Sequence, residues 1–492
     1  MNKNLLLYLA VFSLFSVGIY FVLEFGARLE TDRSALRQHD GSGDVTITPP
    51  QRHQPEAPSG GISKILRENL ENPLSILLLQ VVVILITAKL AGSLFLKLGQ
   101  PSVIGEMVAG IVLGPSLLGL IFPQALSFLF PASSMGTLRL LSQIGVILFM
   151  FIVGMELNAR QLQEKARAAV MISHAGIVAP FFMGVIVSLL IYRAFAPPAI
   201  SFTSFALFMG VAMSVTAFPV LARIIEERGM TNTYLGNTAI ACAAVDDVTA
   251  WCILALVIAV VKSDGIGASL LTIFLALIFT AAMLLVVKPQ LNRLFGGETG
   301  EKDSKGTVAG VLAFLFISAY FTELIGIHAI FGAFIAGVIM PPAPAFRSFL
   351  KERLSTFSSA ALLPLFFVFT GLRTQIGLLN DWQSWLVCLG IIAVAIAGKL
   401  GGGMMAARWA GMSWSDSLSI GALMNTRGLM ELIVLNIGYD LGILPGRIFA
   451  IMILMAIVTT CMTGPFLTVI TFVERKSSGM IETHNQVSPS MK

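Results

Sequence analysis

Charged side chains are scarce in this chain of 492 residues, where Asp, Glu, Lys and Arg together make up 12%, against about 25% in an ordinary soluble domain. Hydrophobic residues make up 56% of the chain, and the mean hydropathy is +0.85. The apolar residues form runs of roughly 20 residues separated by short polar breaks, which is the pattern of membrane-spanning helices. The composition therefore excludes a soluble enzyme and predicts an all-α membrane protein that is not an enzyme.

Several kinds of site are missing as well. The chain has four cysteines, which all lie inside apolar runs without the spacing of metal ligands, so we expect buried thiols and no cofactor. The formal net charge is +5, yet no basic cluster with interleaved aromatic residues is present, and we expect no nucleic acid partner. An excess of basic residues is typical of the cytoplasmic loops of a membrane protein.

The apolar runs divide the chain into four parts. The first run follows Lys3 and has no small-residue cleavage site after it, so residues 1–24 are predicted to be an N-terminal signal anchor. Residues 25–72 are polar and rich in Pro and Gly, which is typical of a flexible linker, here periplasmic. Residues 73–473 form the transmembrane domain, and residues 474–492 form a tail too short for a cytosolic nucleotide-binding or sensor domain.

The transmembrane domain contains thirteen further apolar runs, numbered as spans 1 to 13. They cover residues 74–96, 102–122, 140–157, 169–192, 203–223, 234–261, 266–287, 306–325, 327–341, 357–372, 382–403, 415–438 and 446–473. When the linker is placed outside, fourteen Lys and Arg residues fall in inner connections and five in outer ones. This asymmetry agrees with the positive-inside rule and predicts a cytoplasmic C-terminus.

Spans 3 and 10 contain similar segments, which indicates an internal repeat. Residues 148–155 (LFMFIVGM) align with residues 365–372 (LFFVFTGL). The two spans are seven apart, and an odd offset reverses the direction of crossing, so two six-span units joined by span 7 would be related by inversion, as in many transporters. Chance similarity between Phe-rich segments is the alternative.

The strongest candidate site is the pair Asp246 and Asp247 in the middle of span 6. Ionisable groups at membrane depth are expensive and mark functional sites by default. Consecutive helix positions differ by about 100° around the axis, so one carboxylate can line a pathway while the other seeks a cation on a neighbouring helix. Since burial disfavours the charged form, such a carboxylate can exchange a proton for a metal cation.

Spans 5 and 12 carry the residues of interrupted helices. In span 5, Pro219 removes a backbone donor while Ser214 and Thr216 supply hydroxyls. The counterpart in span 12 is the segment 424–431 (MNTRGLME), in which Gly428 follows a polar run. Transporters place ion sites at such interruptions, although span 5 could also be a merely kinked helix.

Three more charged residues within the spans are candidates. Arg427 and Glu431 are four residues apart in span 12, so they could form an internal ion pair. Lys399 in span 11 could either reach the inner membrane interface or, through its Gly-rich surroundings, approach Asp246 or Asp247. Four weaker candidates are Glu106, Glu156, His174 and His328.

Taken together, these motifs resemble the monovalent cation:proton antiporter superfamily, in the branch that holds plant cation/proton exchangers, glutathione-gated potassium efflux systems and bacterial sodium/proton antiporters. The resemblance covers roughly residues 74–473. It rests on residues 100–106 (QPSVIGE), 154–157 (GMEL), 216–223 (TAFPVLAR), 246–247 (DD), Lys399 and 425–428 (NTRG). The anchor and the outer linker have no counterpart in it.

The resemblance implies a thirteen-helix inverted-repeat fold in which spans 5 and 12 cross as broken helices, with the N-terminal anchor helix as an addition. It also implies a homodimer and an elevator-like motion of a core against a dimerisation domain. By the same carry-over, Asp247 would bind the cation and the proton competitively, and Asp246 would pair with Lys399.

The sequence thus predicts a bacterial inner-membrane antiporter that exchanges Na+ or K+ for H+ and serves pH homeostasis. Deprotonated Asp247, with Ser214, Thr216 and carbonyl groups freed by the broken helix, would hold the cation transiently. A gated channel or non-transporting sensor on the same fold is one alternative, and a proton-coupled carrier of a small organic solute is another. An intramembrane aspartyl protease is disfavoured, because its carboxylates must face each other from different helices.

Overall fold

The computed structural model describes residues 3–37, 72–156, 166–230, 233–262, 266–295 and 304–486, and within these ranges it contains helices and no strand. The first ten helices are α1 (Lys3–Arg37), α2 (Pro73–Lys97), α3 (Ser102–Leu113), α4 (Leu118–Ile121), α5 (Pro123–Leu129), α6 (Ala132–Glu156), α7 (Ala166–Phe195), α8 (Phe202–Ser214), α9 (Phe218–Glu227) and α10 (Tyr234–Lys262).

The second ten helices complete the described chain. They are α11 (Ile266–Ala282), α12 (Lys288–Phe295), α13 (Ser304–Ile325), α14 (Ala329–Val338), α15 (Pro344–Phe357), α16 (Leu363–Arg373), α17 (Trp382–Trp409), α18 (Trp414–Met424), α19 (Leu429–Asp440) and α20 (Gly446–Gln486). Single π-helical turns, Met283–Val287 and Ser358–Leu362, join α11 to α12 and α15 to α16.

Twelve helices of the described chain are long and apolar enough to cross a membrane, and the bent pair α18 and α19 makes up to thirteen. Each of the thirteen predicted spans contains a helix. Span 9, however, is only the ten-residue α14, which is about 15 Å long and covers half of a bilayer's hydrocarbon core. The all-helical membrane fold is therefore confirmed at the level of twelve to thirteen apolar helices.

Two predicted boundaries differ from those of the structure. Helix α1 continues to Arg37, past residue 24, because the segment after it is rich in Ala, Arg, Leu and Glu and contains no proline. Helix α20 continues to Gln486, past residue 473. The predicted linker beyond residue 37 and the last six residues of the tail lie outside the described residues.

The helices pack in two groups. The first helix group contains α2, α3, α6, α13, α14, α15 and α16, and the second contains α7, α8, α9, α10, α17, α18, α19 and α20. Apolar side chains meet between the groups: the rings of Trp251 in α10 and Phe334 in α14 stack with centroids 6.2 Å apart. Helix α16 also contacts α19.

The glycines of the two aligned segments make equivalent contacts in the first group. Gly154 in α6 packs against Gly337 in α14, and an added Cβ on Gly154 would lie 3.1 Å from the Gly337 Cα atom. Gly371 in α16 packs against Gly110 in α3, where the corresponding distance is 2.7 Å. Span 3 thus contacts span 9 through a pair of glycines, and span 10 contacts span 2 in the same way. A repeat with an offset of seven predicts this, because it matches span 3 with span 10 and span 2 with span 9.

Helix α1 lies against the second group. Gly18 faces the ring of Phe182 in α7, and Gly26 faces the ring of Phe202 in α8 so closely that no Cβ atom would fit. The ring of Phe15 packs edge-on against Phe182 with centroids 5.3 Å apart. The predicted anchor therefore contacts the transmembrane helices directly.

Candidate functional site

The first helix interruption lies in span 5, between α8 and α9. Helix α8 ends at Ser214, residues 215–217 are not helical, and Pro219 stands in the first turn of α9. A proline is tolerated there because the first backbone N–H groups of a helix have no partner within it. The span is therefore broken and is not merely kinked.

The second interruption lies in span 12, between α18 and α19. Residues 425–428 separate the two helices, which are bent by 41° relative to each other. An added Cβ on Gly428 would lie 2.7 Å from the Cγ2 atom of Val220 and 3.2 Å from the Cβ atom of Ala217. Only a glycine lets the two interruptions approach this closely.

The two interruptions are joined by hydrogen bonds at a point that we call the crossing, formed by residues 215–217 and 425–428. The Thr216 hydroxyl donates to the Met424 carbonyl at 3.1 Å. The Ala217 backbone N–H donates to the Thr426 carbonyl at 3.0 Å. Backbone groups released by one broken helix are thus satisfied by the other, as buried peptide groups require.

Lys399 lies beside the crossing and is completely buried. Its ammonium donates to Asp246 Oδ2 at 3.0 Å, to the Gly176 carbonyl at 2.9 Å and to the Ser214 carbonyl. The other oxygen of Asp246 accepts from the Ser173 hydroxyl at 3.2 Å. Lys399 therefore does not reach a membrane interface, and both it and Asp246 have several polar partners.

Asp247, the neighbour of Asp246, is 1% exposed. Neither of its carboxylate oxygens has a hydrogen-bond partner among the described residues, although the backbone N–H of Phe218, at the start of α9, lies nearby. A buried polar group without a partner is costly and needs an explanation. The sequence predicted that the two carboxylates would serve different purposes, and the structure gives them different surroundings.

Arg427 and Glu431 form a second buried pair in which Nη1 of Arg427 lies 3.3 Å from Oε1 of Glu431. The Arg427 guanidinium also donates to the carbonyls of Ala212 and Met213, at 3.0 and 2.8 Å. Those carbonyls belong to the last turn of α8, where a helix leaves acceptors unused. Arg427 thus stabilises the end of one broken helix from the interruption of the other.

Ser214, a predicted cation ligand, directs its hydroxyl elsewhere. The hydroxyl donates to the Val211 carbonyl at 2.9 Å within α8, while the Ser214 carbonyl accepts from Lys399. The hydroxyl of Thr216 is likewise used, in the bond to Met424. Thr216 lies at the crossing and Ser214 directly before it, but both hydroxyls are bonded to backbone carbonyls.

The weaker candidates lie away from the crossing or at its edge. Glu156 pairs with the exposed Lys351 at 2.6 Å, and Glu106 is half-buried in α3. His174 lies 3.3 Å from the Thr249 hydroxyl. His328, whose backbone φ is +81°, precedes α14, and its imidazole accepts a hydrogen bond from the Ile330 N–H in the first turn of that helix. Both histidines have the hydrogen bonds expected of packing residues.

A cluster of charged residues that the sequence did not indicate lies between the two helix groups, at one end of their contact. Asp440, the last residue of α19, pairs with Arg139 of α6 at 3.1 Å and with Arg373 of α16. Arg373 also donates to Asn436 at 2.8 Å. We call these four residues the Asp440 cluster. Arg139 and Arg373 stood out in the sequence only as charges in connections, and nothing there pointed to a shared partner.

A cavity of about 400 Å³ opens beside the Asp440 cluster. Its lining includes Arg139, Lys262, Glu323, His328 and Asp440. The structure thus brings charged residues of α6, α10, α13 and α19 together around one space.

Comparison with known proteins gives three matches of different kinds. Residues 82–473 match the family model described as the sodium/hydrogen exchanger, transmembrane. The chain is 42% identical to the Na(+)/H(+) antiporter NhaS4 of Synechocystis over 397 residues, which cover 80% of this chain and 97% of the relative. It is 33% identical to the K(+)/H(+) antiporter 1 of Saccharomyces cerevisiae over 81% of this chain, but spans only 46% of that relative.

A solved structure resembles the fold. The sodium proton antiporter MjNhaP1 from Methanocaldococcus jannaschii superposes with a TM-score of 0.56 at 17% sequence identity. The match covers 81% of this chain and 96% of that one. At this identity the likeness concerns the arrangement of helices.

Proposed function

Because the chain belongs to the sodium/hydrogen exchanger family of the monovalent cation:proton antiporter superfamily, we propose that it exchanges Na+ or K+ for H+ across a bacterial inner membrane. The single observation that carries the proposed site is the Asp247 carboxylate, buried without a hydrogen-bond partner in the described structure beside the crossing. A carboxylate in this position can hold either a proton or a monovalent cation. The two substrates therefore compete.

The charges around the crossing support this role for Asp247. Asp246 is matched by Lys399, and Glu431 is matched by Arg427. Asp247 is the acidic residue left over, so the site carries one unmatched negative charge when Asp247 is ionised. A bound cation or a bound proton neutralises that charge, which is expensive to leave alone at membrane depth.

Alternating access follows from the division into two helix groups. The crossing belongs entirely to the second group, and apolar side chains such as Trp251 and Phe334 lie between the groups. In our proposal the second group moves against the first and carries Asp247 between the two membrane faces. Asp247 takes up the cation on one face and exchanges it for a proton on the other.

Further parts of the proposal concern topology and assembly. The C-terminus is cytoplasmic, which the basic residues in the connections support. Every fourth residue of α2 from Leu74 to Leu94 is an exposed large hydrophobic residue, and such a face suits lipid or a second copy of the chain. We propose a homodimer. The number of protons moved for each cation depends on whether the Asp246–Lys399 pair also releases a proton.

The test is cation-driven proton movement in proteoliposomes loaded with a pH-sensitive dye. The wild-type protein should collapse an imposed pH gradient on addition of Na+ or K+, and Asp247→Asn should not. Asp381→Asn is a matched control, because it makes the same chemical change at a carboxylate that is 45% exposed. Undiminished exchange by Asp247→Asn would refute the site. Cation conductance far above carrier turnover, or uptake coupled to an organic solute, would point to the alternative functions.

A further inference from the structure

Asn425 has surroundings unlike those of the other polar residues at the crossing. It is fully buried, and neither its amide nitrogen nor its amide oxygen has a hydrogen-bond partner among the residues that the structure describes. Its backbone N–H is satisfied within α18, by the carbonyls of Gly421 and Ala422. The side chain alone is therefore left without partners, as the Asp247 carboxylate is.

The neighbours of Asn425 place it on the same side of the fold as the aspartates. Met424 and Thr426, which flank it, accept hydrogen bonds from Thr216 and Ala217. Phe218, the next residue along, has the backbone N–H that lies near Asp247. Met424 also belongs to one apolar cluster with Ala243 of α10, one turn before Asp247. The segments that carry these two buried, unpartnered side chains thus meet around the crossing.

The ends of the two broken helices differ in charge. Helix C-termini carry a partial negative charge and attract cations. At the end of α8, the carbonyls of Ala212, Met213 and Ser214 accept from the positively charged Arg427 and Lys399. At the end of α18, the Met424 carbonyl accepts from the uncharged hydroxyl of Thr216. The C-terminus of α8 is neutralised by the protein's own cations, whereas that of α18 is not.

From this asymmetry we infer that the amide oxygen of Asn425 is a ligand of the transported cation, opposite Asp247, at the end of α18. The inference rests on the proposed function and adds a specificity determinant to it. Oxygen ligands are those that hard cations prefer. A neutral amide oxygen adds no charge, so Asp247 can still be neutralised by one proton or one monovalent cation.

A neutral ligand also bears on the choice among cations. Selectivity between Na+ and K+ depends on the number and strength of the coordinating oxygen dipoles and on the space between them. Asn425 is held at the junction of α18 with the crossing, so its oxygen sets one side of that space. Its removal should weaken binding and change the ranking of the cations.

The test compares Asn425→Ala with Ser417→Ala. Ser417 is the matched control, because it lies in α18, the helix that ends just before Asn425, is fully buried and has a hydroxyl without a partner in the described chain, yet it stands two turns before the crossing. In proteoliposomes, the half-saturating concentration of Li+, Na+, K+ and Rb+ would be measured in turn. For Asn425→Ala we expect the half-saturating concentration of the preferred cation to rise by about tenfold or more. The order of preference among the four cations should also change. Ser417→Ala should match the wild type in both respects.

A second measurement separates a ligand from a structural residue. Since the Asn425 amide has no partner, Asn425→Ala should leave the melting temperature without added cation equal or higher, and should lose the rise that the transported cation produces in the wild type. Equal half-saturation for Asn425→Ala and Ser417→Ala would overturn the inference, and so would a lower melting temperature with an intact cation-induced rise. Absence of exchange in the wild type would instead refute the proposed function.

Discussion

The crossing and the Asp440 cluster both bring opposite charges together, but in different surroundings. Beside the crossing, Lys399 and Asp246 are 0% exposed, whereas in the Asp440 cluster the side chain of Arg139 is 43% exposed and that of Arg373 is 14% exposed. The crossing lies inside the second helix group, and the cluster joins the two groups. The first therefore holds charges that cannot be left unpaired, while the second holds pairs that water can replace.

The two sets of charged pairs respond differently to a motion of one helix group against the other. A motion between the groups leaves Lys399 and Asp246 together, because both belong to the second group. The same motion must break the bonds from Arg139 and Arg373 to Asp440, because these residues belong to different groups. Partly exposed pairs are suited to repeated breaking, since water solvates the separated charges.

The largest expected effect comes from breaking the buried pair. Lys399→Met leaves the Asp246 carboxylate buried opposite an apolar side chain, so we expect a loss of about 3 to 5 kcal/mol of stability. Thermal melting in detergent measures it. The double variant Asp246→Asn with Lys399→Met should recover much of the loss. A single variant that melts like the wild type would show that the charges at the crossing are not coupled as described.

A smaller loss of stability is expected when a larger uncharged side chain is placed at the crossing. Gly428→Val places a side chain where Val220 and Ala217 already lie, and overpacking of this kind costs about 1 to 3 kcal/mol. Gly390→Ala is the control, because a Cβ atom there would meet nothing within 4 Å. The same melting assay applies. Equal melting temperatures for the two variants would contradict the close approach of the interruptions.

The Asp440 cluster should be less sensitive and should depend on salt. Asp440→Asn removes the partner of Arg139, which is 43% exposed, and of Arg373, which is 14% exposed and keeps its bond to Asn436, so we expect about 1 kcal/mol. The difference in stability between the wild type and this variant should become smaller as the salt concentration rises from about 0.1 to about 1 M, since salt screens exposed charges. The effect of Lys399→Met should not change with salt. A salt-independent loss in Asp440→Asn would remove the distinction between the two regions.

The smallest effect is expected at Asp381, an exposed carboxylate that begins α17. Its Oδ1 atom accepts from the Ser384 N–H at 2.8 Å, and its hydrogen bonds with Ser384 hold the pKa of Asp381 below its ordinary value. A carboxyl group with a lowered pKa stabilises the folded state at neutral pH, and this contribution is lost as the pH falls through the lowered value. Melting temperatures of the wild type and Asp381→Asn should therefore differ slightly at pH 7 and converge as the pH falls through the lowered pKa. Divergence at low pH would contradict this.

Much of the second group could be predicted from its sequence, because charged residues within apolar runs are rare enough to stand out. Asp246, Asp247 and Lys399 were found in this way, and Pro219 and Gly428 marked the interruptions. Asn425 belongs to one of the motifs but was not singled out, because an uncharged amide in an apolar run is often only a packing or capping residue. What distinguishes it is the absence of a hydrogen-bond partner in the described structure, which depends on the contacts of several helices.

The Asp440 cluster could not be predicted in the same way. Arg139, Arg373 and Asp440 stand just outside predicted spans that are far apart in the chain, where charged residues are ordinary. Their contact depends on how the two groups pack, and helical periodicity carries no information about that packing. The similarity of spans 3 and 10 could be seen in the sequence because Gly154 and Gly371 each pack against a glycine of another helix, which leaves a small residue at the same place in both segments.

Helix α1 also has a consequence for the order in which the protein is built. Its Gly26 docks on Phe202, which follows it by about 176 residues. At synthesis rates of 5 to 20 residues per second, α1 is made roughly 10 to 35 s before that surface exists. Its rings of Tyr20, Phe21 and Phe25 are 60 to 64% exposed in the folded protein. A helix near the start of the chain therefore packs on a surface that is made only after helices α2 to α7.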